Sequence, residues 1–290
     1  MKFTTCILIL AIVLGILTGC SGQLDVADIA TTTPPVYEFT SLICQGTGLT
    51  VTQLVTENVS CLHDYALSVK QVKAIEAAQV VVFSGGGLEN FLTDLPRGKN
   101  VIDCSSGIDL LESCHHEGEH TGHAHDHDPH FWLSPAYAKI MAENICDELI
   151  ARYPQHEALL RSNLKNLLAQ LDALQAYGQQ ALSGLSCRKL LTFHDGFAYF
   201  AQAFDLDILA AVEEESGSEA SAQELKKLIE LVTTHRLPAI FTEKNGSTRS
   251  ANVIADATGA KVYALDMAMS GESYFESMYH NIDTVKEALQ

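Results

Sequence analysis

Hydrophobic and polar positions alternate along this chain in two registers. Short apolar, β-branched runs at residues 26–32, 49–55, 80–83 and 101–103 read as strands. Residues 37–44 and 69–78 carry helical spacing between them, and Thr33-Pro34-Pro35 and Gly85-Gly86-Gly87 read as turns. Residues 135–151 form another helical stretch. Leu159, Leu160, Leu164, Leu167, Leu168, Leu171 and Leu174 then recur three and four apart. That spacing predicts one helix of about 25 residues, roughly 38 Å long at 1.5 Å per residue. Strands at 189–193, 208–212, 239–242 and 262–265 follow, with helices at 196–203, 222–233, 250–257 and 273–289. Ser221 with Glu224 has the spacing of a capping box. Short apolar strands alternating with helices predict an α/β fold with parallel sheets covered on both faces. The distribution gives two α/β lobes of similar size joined by one long helix. Phe193, Phe197, Tyr199 and Phe200 read as core residues.

Two segments break this pattern. At the amino terminus, Lys2 precedes an apolar stretch, residues 7–17, that is short for a membrane span. It ends in Leu17-Thr18-Gly19-Cys20, which resembles a bacterial lipobox. The resemblance implies cleavage before Cys20, diacylation of Cys20 and anchoring by its acyl chains. Residues 1–19 are then a lipoprotein signal peptide, and residues 20–25 the lipidated Cys and its tether. The second break, residues 112–130, has no apolar period and reads as a loop.

The chain has 290 residues, with 18 Lys plus Arg against 36 Asp plus Glu, a formal charge of −18. Such an acidic chain lacks the basic surface that nucleic-acid binding needs. Six cysteines, Cys44, Cys61, Cys104, Cys114, Cys146 and Cys187, remain after the lipobox, enough for three disulfides in an oxidising compartment. They show no CxxC spacing, against a thiolate zinc cluster.

Histidine placement points to chemistry. His63 follows a strand candidate, His130 precedes a helix, and His194 lies at the carboxyl end of a strand, where ligands bind in parallel α/β sheets. Imidazoles suit Zn²⁺. Asp64, Asp128 or Asp195 could orient a ring through its second nitrogen, and Glu272 could add a carboxylate. His115, His116, His120, His123, His125 and His127 crowd the loop among acids, and such a tract should hold Zn²⁺ loosely. HExxH, GxSxG and GxxxxGK[ST] are absent, against the common peptidase, hydrolase and NTPase designs. Glu213-Glu214-Glu215 reads as a surface run.

Four segments carry a family resemblance: residues 59–65 (VSCLHDY), 128–135 (DPHFWLSP), 192–197 (TFHDGF) and 271–274 (GESY). With the lipobox, the long helix and the His-rich loop, the chain resembles the zinc- and manganese-binding lipoproteins that serve as receptor subunits of bacterial ABC importers, the cluster A-I solute-binding proteins. The resemblance implies metal ligands His63, His130, His194 and Glu272 at a cleft between lobes. A His at the third position marks the zinc subgroup. Cys61-Leu62 stands where the family often has Pro before its His, which leaves Cys61 open as a ligand or disulfide partner. The implied organisation is an N-terminal lobe at 26–153 with the His-rich loop at 115–127, a linking helix at 154–183 and a C-terminal lobe at 184–290. The implied function is capture of Zn²⁺ outside the cytoplasm by a monomeric, membrane-anchored receptor, not an enzyme, and its delivery to an ABC permease. Alternatives are a manganese receptor on the same scaffold and a metal-dependent surface adhesin.

Overall fold

The structure, a computed structural model, describes residues 27–56, 62, 65–89, 92, 100–112, 127–212 and 220–290. The first sheet is wholly parallel with order β2-β1-β3-β4, formed by β1 (Ile29–Thr31), β2 (Val51–Gln53), β3 (Val80–Phe83) and β4 (Asn100–Asp103). The second, also parallel, has order β6-β5-β7-β8, from β5 (Lys189–Thr192), β6 (Asp207–Ala211), β7 (Ala239–Glu243) and β8 (Lys261–Leu265). Both sheets reverse their strand order once, between β1 and β3 and between β5 and β7. Such switch points open a crevice at the carboxyl ends of the strands.

Strand residues alternate between faces, and each sheet is buried on both. Val80 and Val82 face a large central cluster, whereas Val81 packs with Leu54 and Ile75 on the outer side. Leu190 and Phe241 join the central cluster, and Leu191 and Ile240 pack outward with Leu228 and Ile254. The central cluster is continuous across both sheets, running from Ile29 to Leu289.

The helices begin where their caps dictate. α1 (Pro34–Cys44) starts earlier than expected, because Pro34 and Pro35 occupy its first two positions and the Thr33 side chain accepts from Val36 N–H. Proline is tolerated there, since its missing N–H would have no helical partner. α2 (Val69–Ala77) opens on a Ser68–Gln71 capping box. α3 (Pro135–Arg152) follows a 3₁₀ turn at Phe131–Leu133. α4 (Glu157–Ala181) is the long helix, 25 residues, with Leu160, Leu167, Leu171 and Leu174 buried. Leu159, at the edge of that stripe, is exposed. α4 packs against α1 and α3 on one side and, through its later turns, against α8 (Tyr274–Leu289) of the second half. The sequence of α5 (Ala198–Ala203), α6 (Ala222–His235) and α7 (Arg249–Thr258) completes the second lobe. The Ser221–Glu224 box caps α6 as its spacing predicts. No helix among the described residues is long and apolar enough to cross a membrane.

The halves are also stitched by hydrogen bonds between polar groups in the core. Trp132 Nε1 donates to Met267 O at 2.9 Å, and Tyr274 Oη donates to Trp132 O at 2.8 Å. Glu38 on α1 accepts from Tyr274 N–H and from the Ser273 hydroxyl. The Tyr199 hydroxyl accepts from Leu111 N–H and donates to Asp128 O. Leu111 O in turn accepts from Asp128 N–H, and Glu112 and His127 form an antiparallel bridge. Tyr199 of the second half thus holds both ends of the loop at 112–127.

Candidate metal centre

His194 lies two residues beyond β5, at the switch point of the second sheet. His130 enters from the first half as the residue preceding the 3₁₀ turn, its side chain almost fully buried. The two rings meet edge to face with centroids 5.2 Å apart. Gly196 permits this approach. A Cβ at Gly196 would lie 2.6 Å from His194 Cδ2, 2.6 Å from Met267 Cε and 2.9 Å from His130 Nδ1.

Each ring has a carboxylate on its Nδ1 side. Asp128 Oδ1 is 2.8 Å from His130 Nδ1 and also accepts from His130 N–H at 2.8 Å. A carboxylate in that position requires the proton on Nδ1 and leaves Nε2 with its lone pair. Glu243 closes β7 and is buried, with Oε2 3.6 Å from His194 Nδ1. That separation is ion-pair range rather than a hydrogen bond, and it biases His194 the same way. Of the three aspartates weighed from sequence, Asp128 orients a ring. Glu243, which faces the other, had no local signal, since it ends an otherwise apolar strand. Trp132 packs against the outer side of His130, ring centroids 5.3 Å apart, and fixes that ring further.

Glu272 stands apart from this pair. It is 51% exposed, and its Oε1 is 2.9 Å from Lys244 Nζ. The same ammonium lies 3.3 Å from Asp266 Oδ2, at the carboxyl end of β8. Asp266 is buried and accepts from Ala268 N–H and the Ser270 hydroxyl. Asn281 holds its backbone on both sides, accepting from Asp266 N–H and donating to Asp266 O, each at 2.7 Å. The hydrogen bond to Glu272, and secondarily Asp266, raises the Lys244 pKa.

His63, Asp64 and Cys61 lie outside the described residues, as do Cys20, Cys114, Glu213–Glu215 and His115, His116, His120, His123 and His125 of the loop. His127 is described and exposed, beyond the core of the site. Among the described residues no group of three or more His, Cys, Asp or Glu is gathered around one point. Cys44, Cys104, Cys146 and Cys187 are free thiols. Burial, with Cys146 nearby, pushes the Cys44 thiol up to about 12.

A second buried carboxylate occupies the switch point of the first sheet. Glu89 accepts from the Thr32 hydroxyl at 2.6 Å, Ser84 N–H at 2.7 Å and Gly85 N–H at 3.0 Å. Burial pushes its pKa up to about 7, against those three hydrogen bonds.

Two parallel sheets, a long helix packed on both halves and an oriented histidine pair at a strand-end crevice define a two-lobed α/β binding protein. The chain belongs to the family described as "Zinc-uptake complex component A periplasmic", which it matches over residues 29–288. Proteins of this family are solute-binding receptors of ABC importers, not enzymes. A crystal structure of ZnuA superimposes with a TM-score of 0.79 at 31% identity, covering 91% of this chain and 100% of that one. The laminin-binding protein Lmb of Streptococcus agalactiae, a bifunctional protein with adhesin and metal-transporting activity, gives 0.78 at 26% identity, covering 91% of this chain and 100% of that one. The zinc-binding lipoprotein AdcA of Streptococcus pneumoniae serotype 4 is 30% identical over 293 residues, covering 93% of this chain. The match spans 58% of AdcA's own length.

Proposed function

We propose that this chain is a lipid-anchored extracytoplasmic receptor that captures Zn²⁺ between its lobes and hands it to the permease of an ABC importer. The observation that carries this reading is the His130–His194 pair, drawn from the two halves, with Asp128 hydrogen-bonded to one ring and Glu243 facing the other. A Zn–N bond of about 2.0–2.1 Å puts an ion about 3.2 Å from an imidazole centre, so two imidazoles on one tetrahedral ion have centres about 5 Å apart. The 5.2 Å separation accords with that spacing. His63 and Glu272 complete the donor set in this reading. Three imidazoles and one carboxylate favour Zn²⁺ over Mn²⁺, the harder ion. Cys20 carries the lipid, residues 26–153 and 184–290 are the lobes, and residues 154–183 link them. The histidines of the 115–127 loop gather Zn²⁺ loosely outside the cleft. With the lobes stitched through the core, release proceeds by small movements of loops rather than by wide opening.

Competitive metal titration of the processed chain, with elemental analysis, tests this. One tight Zn²⁺ per chain is expected, with weaker sites that disappear on deletion of residues 115–127. His194→Ala should weaken the tight site by at least about a hundredfold, the scale of losing a direct ligand rather than an orienting partner. Unchanged affinity in that variant, or a tight site that prefers Mn²⁺, would overturn the assignment.

A further inference from the structure

Among the described residues Lys244 is the cation paired with Asp266 and Glu272, and its position bears on the fourth ligand. It follows Glu243 directly, and its backbone N–H continues the β7–β8 ladder by donating to Leu265 O at 2.8 Å. The root of the side chain is therefore fixed. Its ammonium bridges two carboxylates of different character. Asp266 is 2% exposed and locked by Ala268, Ser270 and Asn281. Glu272 is half exposed, one residue after Gly271, whose φ is +82°. One acid is an anchor, and the other is free to leave.

We propose that Lys244 is a built-in competitor for the metal: in the metal-free receptor it holds the Glu272 carboxylate, and Zn²⁺ must take Glu272 from it. The inference rests on Glu272 serving as a ligand. On binding, the ammonium keeps Asp266 as partner, so capture strands no buried charge. On release, it reclaims Glu272 and removes one donor from the departing ion. A receptor that must surrender its cargo gains from such a competitor, which lowers affinity moderately while shortening residence.

The size follows from exposure. Partly exposed ion pairs contribute little, so Lys244→Met should tighten zinc binding by only about two- to fivefold and slow dissociation comparably. A double-mutant cycle makes so small an effect decisive. Glu272→Gln should weaken binding, and adding Lys244→Met to it should change nothing further. Competition against a chromophoric chelator gives the four affinities, and stopped-flow chelation gives the off-rates. Equal tightening by Lys244→Met in both backgrounds would mean that the ammonium merely repels a cation, and would overturn the proposal. No tightening in either background would overturn it as well. Failure of the underlying reading looks different, because Glu272→Gln would then bind zinc as tightly as the unaltered chain. If Lys244→Met does not fold, Lys244→Gln removes the same charge while retaining a hydrogen-bond donor for Asp266.

Discussion

Gly196 sits between two rings and a thioether, and the site depends on its having no side chain. The Met267 methyl could swing aside, but His130 is held by Asp128 and Trp132, and His194 faces Glu243. Gly196→Ala must therefore move an imidazole. Overpacking of this kind costs about 1–3 kcal/mol. Because the strain falls on the orientation of the proposed ligands, zinc affinity should drop by about tenfold or more. Chelator competition checks this, and an unchanged affinity would mean that the rings yield freely. His130 and His194 were legible in the sequence because each adjoins a recognisable element boundary and an acidic neighbour. Gly196, Glu243 and Lys244 were not. A glycine after His-Asp reads as the start of the helix expected at 196–203, and an acid and a lysine after an apolar run read as the end of a strand. Their surroundings come mainly from residues distant in the chain, which no local pattern encodes.

Element boundaries were legible where backbone chemistry sets them. The capping box at Ser221 and the uninterrupted leucine stripe of α4 place two helices nearly to the residue, whereas the Ser68 box of α2 emerges only in the structure. Thr33-Pro34-Pro35 reads as a turn but starts a helix, because proline signals a chain bend and a helix start alike. Glu89, which joins the ends of β1 and β3, was not legible at all. Its three donors come from Thr32, Ser84 and Gly85. It carries a pH prediction for this element. Burial raises its pKa from 4.5 to about 7, so the folded chain holds this proton more tightly than the unfolded chain does. Its contribution to stability is fully present below pH 4.5 and is lost as pH rises through 7. The loss amounts to about 3 kcal/mol at 1.36 kcal/mol per unit. Urea midpoints between pH 4.5 and 7.5 should fall more steeply for the unaltered chain than for Glu89→Gln. The comparison concerns slope, since Gln also disturbs the bond to Gly85. Parallel slopes would show that Glu89 titrates normally.

At the scale of the molecule, one core cluster crosses both sheets, α4 packs on both halves, and Trp132, Tyr199 and Tyr274 tie one half to the other. Such a body should unfold as one cooperative unit although its sequence reads as two lobes. Two lobes were legible because the strand–helix alternation stops and restarts around α4. Their shared core was not, because the contacts that make it join residues far apart in the chain. The proposed zinc site draws one described histidine from each half, so a bound ion adds a cross-link that exists only in the folded state. At free Zn²⁺ a hundredfold above Kd the expected stabilisation is about 2.7 kcal/mol. At about 2–4 °C per kcal/mol for a chain of this order, that is a rise in Tm of roughly 5–10 °C. Calorimetry should show a single transition that moves upward as a whole when zinc is added. In His194→Ala the transition should stay near its metal-free position, because a site about a hundredfold weaker would be at most about half filled at that zinc concentration. If zinc sharpened or moved only part of a split transition, the halves would be separate folding units and the ion a ligand of one of them. If the variant rose as far as the unaltered chain, the stabilising ion would be bound elsewhere, and the cleft histidines would not be what zinc holds together.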